Sequence, residues 1–211
     1  GLRPKVFIME NVSGLVKGKM WLAFAEMTTA LKACGYRVSC RLLNAWWYGV
    51  PQDRRRLFWV GIREDLPFIP SHPIPTSLRP VTVAEVLSEG VAGKGSQVAE
   101  SHQPQVLEAW YASKPGQSLR RARRYVGSFQ SVRLNPDAPS PTQIAAHRNW
   151  RWDEPRYLTV AEAKIIQGFP EWFDIRDSEY KYIGNSVPPP MAEAIGRHVA
   201  GMGLEPRLVN A

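Results

Sequence analysis

The stretch Tyr48-Gly49-Val50-Pro51-Gln52-Asp53-Arg54-Arg55-Arg56-Leu57-Phe58-Trp59-Val60-Gly61-Ile62 places three consecutive arginines between a Pro-Gln turn and an apolar run. A short apolar run bounded by turn residues reads as a buried strand. Such a strand seldom opens on three guanidinium groups for stability alone. They are costly to bury, and their planar donor forks suit phosphates or base edges. By itself the triplet also fits a solvated positive turn beside a core strand.

Working outward, Tyr36 to Trp46 forms a second strand by the same reasoning. Its short connection to the Arg56–Ile62 strand predicts an antiparallel pair. Upstream, Met20 to Cys34 is an amphipathic helix with Met20, Phe24, Met27 and Leu31 on one face, stopped at Gly35. Before it, Pro4-Lys5-Val6-Phe7-Ile8-Met9-Glu10-Asn11-Val12 reads as a buried strand of a parallel sheet. Ligands of open α/β sheets bind beyond the carboxyl ends of strands. Glu10 therefore stands where a carboxylate can do acid–base work, although Asn11 and Ser13 are also ordinary turn residues. Far downstream, Tyr182-Ile183-Gly184-Asn185-Ser186-Val187-Pro188-Pro189-Pro190 precedes a helix with Met191, Ile195, Val199 and Met202 on its apolar side. The prolines there fit a helix start.

In this order, the segments resemble the C-terminal half of a cytosine-C5 DNA methyltransferase. Glu10-Asn11-Val12 is similar to the family's sixth motif, and Gln52, Arg54 and Arg56 match the Gln-x-Arg-x-Arg pattern of the eighth. Arg156-x-Leu158-Thr159-x-x-Glu162, running on to Gln167-Gly168-Phe169-Pro170, resembles the ninth, and Gly184-Asn185-Ser186-Val187-Pro188 the tenth. The resemblance covers residues 4–63 and roughly 134–202. It implies an α/β fold: the closing section of a Rossmann-like methyltransferase sheet, whose last strand inserts antiparallel between its neighbours. A small, irregular target-recognition region and a C-terminal helix would accompany it. The expected division is residues 1–63 for the end of the catalytic domain, 64–145 for target recognition, and 146–211 for the return to the catalytic domain. Strands completing the sheet are expected N-terminal to residue 1.

Two family elements have no counterpart here, the cofactor-binding Gly-rich loop and the Pro-Cys-Gln nucleophile segment. The two cysteines, Cys34 at a helix end and Cys40 within a strand, follow no proline and precede no glutamine. Both read as small packing residues. A separate or contiguous N-terminal methyltransferase half is therefore the expected partner, without which the chain would be inactive. A non-catalytic DNA-binding remnant of a degenerate methyltransferase is the alternative.

The resemblance also implies the chemistry. A cysteine thiolate adds to carbon 6 of a cytosine flipped out of duplex DNA, and carbon 5 then takes the methyl group of S-adenosylmethionine. An acid at N3 favours the addition, and Glu10 holds that position. Arg56 would contact the base O2 or a phosphate, and Arg54 would orient the Glu10 side of the pocket; which arginine does which stays open. Asn185 and Val187 fall where the family lines its cofactor pocket. Asn11 and Gln52 are placed on the substrate side. Arg120, Arg121, Arg123 and Arg124, the densest charge run of the chain, are candidates for phosphate contact.

The formal charge of +8 over 211 residues favours a polyanionic partner. Two separated cysteines exclude a disulfide framework and a multi-cysteine zinc site, so no metal is expected. No apolar run approaches the ~18 residues of a membrane span, and no signal peptide is evident. The chain is expected to be soluble and intracellular, in the cytoplasm or on the nucleoid of a prokaryote, with restriction-modification as a fitting setting. Prolines at 67–80 suggest an extended linker. A capping box of Thr82 with Glu85 marks a short helix, and a second box, Thr159 with Glu162, marks another ended by Gly168. Arg156 and Glu162 suggest a buried ion pair that is structural. Trp150, Trp152 and Trp172 read as packing residues.

Overall fold

The computed structural model describes residues 2–87, 104–119, 131–146 and 148–202. The chain packs as two compact units, one of residues 1–44, 55–75 and 192–211, the other of residues 45–54 and 76–191. These limits fall elsewhere than the sequence divisions at 63 and 145. Residues 45–54 leave the sheet strands on either side of them and belong to the second unit.

The first unit is built on a three-stranded sheet. Strand β1 (Val6–Val12) is followed by a 3-10 turn (Ser13–Val16), helix α1 (Met20–Ala33) and strand β2 (Tyr36–Asn44). Strand β4 (Arg55–Arg63) comes last in the chain but sits in the middle, in the order β1-β4-β2, antiparallel to both neighbours. The last strand is thus inserted antiparallel between its neighbours, as the resemblance implies, with β1 on one side of it. The non-local insertion of β4 separates β1 from β2. A central strand must be apolar on both faces, and β4 is: Leu57, Phe58, Trp59, Val60 and Ile62 are all buried.

Alternation along the strands sorts the two faces. Phe7, Met9, Val38, Cys40, Leu57 and Trp59 form one cluster with Ala23, Phe24, Met27 and Leu31 of α1. Trp59 is wholly buried, and its indole N–H donates to Thr28 Oγ1 at 3.0 Å. Burying a ring of this size contributes about 4–6 kcal/mol at the usual area coefficient. Gly61 leaves room for the Phe7 ring, since a Cβ there would lie 2.0 Å from it. Helix α1 ends on Gly35 at φ +83°, a conformation that favours glycine. Met20, expected on the packed face, is exposed at the first turn instead. Strand β2 stops at Asn44, two residues short of the sequence reading, because Ala45–Tyr48 turns into a 3-10 helix.

On the opposite sheet face, His72 of the proline-rich segment meets Ser39 Oγ at 3.2 Å, and Ser71 Oγ meets His198 at 2.9 Å. Arg37 pins the turn at the head of that segment by donating to the carbonyls of Glu64, Leu66 and Phe68.

The second unit is irregular, with short helices α2 (Val83–Val86), α3 (Pro104–Ala112), α4 (Val160–Gln167) and α5 (Tyr180–Asn185). A minimal parallel ladder joins β3 (Gln52–Asp53) to β5 (Ser140–Pro141). Both sequence-read capping boxes are formed, at Thr82 with Glu85 and at Thr159 with Glu162. Among the described residues, three small cores hold the unit. Val83 and Leu87 pack with Leu134, Leu158 and Ile166. Val106, Ala109 and Trp110 pack with Leu119 and Trp150. Val160 and Ala163 pack with Tyr180 and Ile183. Arg133 stitches the middle core, stacking 3.7 Å over the Trp110 ring and donating to the carbonyls of Trp110, Ser113 and Trp152. Helix α6 (Pro189–Ala200) begins in this unit and continues as part of the first.

The Arg156–Glu162 pair read from the sequence is present with a third member. Glu162 is wholly buried and accepts from Arg156 Nη1 at 2.9 Å, Arg156 Nη2 at 3.0 Å, Arg151 Nη1 at 2.5 Å and the Thr159 backbone N–H at 2.8 Å. Trp150 is buried and Trp152 packs against the first core, but Trp172 is 80% exposed and corrects its reading as a packing residue.

Candidate functional site

In the first unit, antiparallel registry brings Glu10 opposite Phe58 and Val12 opposite Arg56. Glu10 and Arg56 thus lie on neighbouring strands, on the same face, one step apart. Their side chains meet, Arg56 Nε to Glu10 Oε1, at 3.1 Å. The carboxylate remains 31% exposed and the guanidinium 13%. Burial lowers the Arg56 pKa from its ordinary value, and the Glu10 charge opposes that shift. The arrangement presents a carboxylate at the carboxyl end of a strand, with one cation holding it from the side. A ring bearing a nitrogen acceptor and an adjacent amine is the kind of edge such a carboxyl group can address. Asn11, on the opposite sheet face, uses its Oδ1 to accept from the Val12 N–H at 2.8 Å.

The other predicted residues fall in the second unit. Gln52, expected on the substrate side, is wholly buried. Its Nε2 donates to Gln167 Oε1 at 2.7 Å, and its Oε1 accepts from the Gln143 N–H at 3.1 Å. The strand bend after Pro51 turns this side chain inward, where β3 pairs with β5. Arg54 is 1% exposed and bonds to backbone carbonyls, with Nη1 donating to Gln143 O and Nη2 to Gly184 O and Ser186 O, each at 2.9 Å. Which of Arg54 and Arg56 lies toward Glu10 is open in the sequence; of the two, Arg56 pairs with it here.

Those contacts surround Asn185, the last residue of α5, whose side chain is exposed; Val187, two residues on, is half-buried. Gln167 Nε2 donates to both Ser186 O and Ser186 Oγ at 3.0 Å. Gly184 is held against the chain leaving β5, for a Cβ there would lie 2.3 Å from Ile144 C and Ala145 N. Asn185 therefore projects an amide, donor and acceptor together, from a backbone fixed on both sides. That fits the ammonium-carboxylate end of an amino-acid-bearing cofactor.

Sequence reasoning missed Gln143 and Gln167 as buried amides, and Arg151 as the third charge on Glu162. Gln167 stood inside a quoted motif, but nothing in the spacing tells an inward amide from an outward one. Arg120, Arg121, Arg123 and Arg124 lie outside the described residues. Among the described residues no helix is long and apolar enough to cross a membrane.

A family profile described as C-5 cytosine-specific DNA methylase matches residues 1–201. The chain is 32% identical to the Type II methyltransferase M1.HphI of Haemophilus parahaemolyticus, over 95% of this chain and 58% of that protein. It is 28% identical to the Type II methyltransferase M.BspRI of Lysinibacillus sphaericus, over 94% of this chain and 51% of the relative. The chain thus spans about half the length of these curated relatives. A crystal structure of a DNA modification methyltransferase encoded within an E. coli prophage superposes with a TM-score of 0.72 at 24% identity. That match covers 97% of this chain and 71% of the other, and it bears on the fold alone.

Proposed function

The chain belongs to the C-5 cytosine-specific DNA methylase family, and from that premise we propose that it forms part of a DNA (cytosine-5-)-methyltransferase acting on duplex DNA. It contributes the acid at the flipped base, the target-recognition region and the closing side of the cofactor pocket. The nucleophilic cysteine segment and the Gly-rich loop come from an N-terminal half, in the same chain or in a partner, and turnover requires that half. The setting is intracellular modification of DNA, in keeping with relatives named as Type II methyltransferases.

The observation that carries this reading is the Glu10–Arg56 pair at the carboxyl end of β1. A cytosine inside a duplex keeps its Watson–Crick edge paired, so it must leave the stack before chemistry. Once extruded, its N3 and exocyclic amine become available to the Glu10 carboxyl group. A proton held between Glu10 and N3 draws electrons toward that nitrogen and favours attack of a thiolate at carbon 6. Arg56 fixes the Glu10 rotamer, and its remaining N–H groups can donate to the base O2 or to a phosphate. Asn185 and Val187 hold the amino-acid end of S-adenosylmethionine. Bound there, the cofactor supplies an electrophilic methyl group on its sulfonium sulfur. Phosphate contact by the arginines of residues 120–124 would secure the DNA.

The test is Glu10→Gln in the enzyme complete with its nucleophile segment. Turnover should fall by about two to four orders of magnitude, while DNA affinity stays within a few-fold of the parent. Unchanged turnover would remove Glu10 as the acid. A complete assembly that binds DNA without any turnover of its own would favour the non-catalytic remnant.

A further inference from the structure

We propose that Arg54 is a positioning residue for cofactor capture, holding the two carbonyls that flank Asn185, and has no direct part in the chemistry on the base. The inference rests on the reading of Asn185 as a cofactor-binding residue. The last carbonyls of a helix have no intrahelical partner, and a cation there satisfies them and complements the helix dipole. Helix α5 ends at Asn185, and Arg54 Nη2 takes up Gly184 O and Ser186 O, each at 2.9 Å. Its Nη1 donates at 2.9 Å to Gln143 O, on the chain leaving β5. Three acceptors in three directions suit a planar fork and not a point charge. Gln167 adds a second hold on Ser186, at its carbonyl and its hydroxyl. Ser186 Oγ passes the restraint back into the helix by donating to Ile183 O at 2.8 Å. The absence of a Cβ at Gly184 lets residues 144–145 close against the same turn. The exposed Asn185 amide is thus carried on backbone that buried groups fix in advance, so little ordering remains when a ligand binds.

The test compares Arg54→Lys, Gln167→Met and Asn185→Ala in the complete enzyme, with the KM for S-adenosylmethionine and kcat measured separately and folding checked by thermal melting. Loss of one or two of these bonds should raise the KM for Arg54→Lys and for Gln167→Met by about tenfold. At saturating cofactor kcat should stay within about threefold of the parent, the signature of lost ground-state binding. A merely structural role would lower the melting temperature without splitting KM from kcat. If Asn185→Ala raises KM and Arg54→Lys instead lowers kcat at unchanged KM, Arg54 acts at the base and the proposal fails. If Asn185→Ala leaves KM unchanged, the cofactor reading of the turn fails, and the proposal with it. Should Arg54→Lys not fold, Gln167→Met decides: an unchanged KM overturns the proposal and a raised one upholds it.

Discussion

Replacing Glu162 by glutamine should cost the second unit about 3–5 kcal/mol, the range for removing one partner of a buried ion cluster. Glu162 is 0% exposed and takes three bonds from guanidinium groups and one from the Thr159 N–H. Glutamine keeps one acceptor oxygen and turns an NH2 group toward an arginine. As anionic partners among the described residues, Arg151 and Arg156 would retain Asp153 and Glu154, whose side chains are 40% and 55% exposed and screened by solvent. Against a typical total of about 5–15 kcal/mol the loss is large. For a protein of this size it corresponds to a fall of about 6–20 °C in melting temperature. Urea unfolding followed by fluorescence of Trp110 and Trp150 should show a lower midpoint at unchanged slope. A pH series adds a second reading. Burial alone would raise the Glu162 pKa, but bonds from Arg156, the Thr159 N–H and Arg151 outweigh it, and the group lies below its ordinary 4.5. A carboxyl group with a lowered folded pKa binds fewer protons in the native state. Its stabilisation is therefore full above about pH 4.5 and is lost as pH falls through the folded value. The gap between parent and Glu162→Gln should narrow in that acid range. A difference under about 1 kcal/mol at pH 7 would refute the view that the cluster depends on this charge.

Two further outcomes concern the first unit. Trp59→Ala should destabilise it by about 3–5 kcal/mol, measured by denaturant unfolding; a loss below about 1 kcal/mol would mean that α1 does not close that sheet face as described. The His72 pKa is lowered from 6.5 by burial first and then by the nearby charges of Arg41 and His198. A histidine shifted this way gives stability that is full above pH 6.5 and is lost as pH falls toward the folded value. Melting temperature should decline from pH 7 to pH 5.5, and His72→Gln, which can still reach Ser39, should flatten that part of the decline.

Much of this architecture was legible where local rules act alone. The Leu57–Ile62 run is a strand because its residues are apolar on both faces, and both capping boxes form because their partners are three residues apart. Glu10 was placed correctly at the end of its strand by the boundary between an apolar run and turn residues. What escaped was decided by distant neighbours. The antiparallel pairing of Val6–Val12 with β4, more than forty residues later, was legible only through the family resemblance, since nothing in the strand's own pattern carries it. Gln52 and Arg54 match a motif, but a motif gives no side-chain direction, and the bend at Pro51 buries both. Arg151 joined Glu162 from outside the ninth-motif spacing, through the turn that returns the chain from Trp150 to Arg156. Trp172 was expected to pack because tryptophan usually does; it follows the Gly168–Pro170 stop, where the chain has left the core.

The most direct measurement is of the product. The chain, completed by a segment bearing the Pro-Cys-Gln nucleophile and the Gly-rich loop, is incubated with duplex DNA and methyl-labelled S-adenosylmethionine, and the DNA is digested to nucleosides. The account expects label in 5-methyldeoxycytidine, absent when this chain is left out and nearly absent with Glu10→Gln. Label confined to another base, or to the exocyclic amine of cytosine, or undiminished with Glu10→Gln, would contradict it.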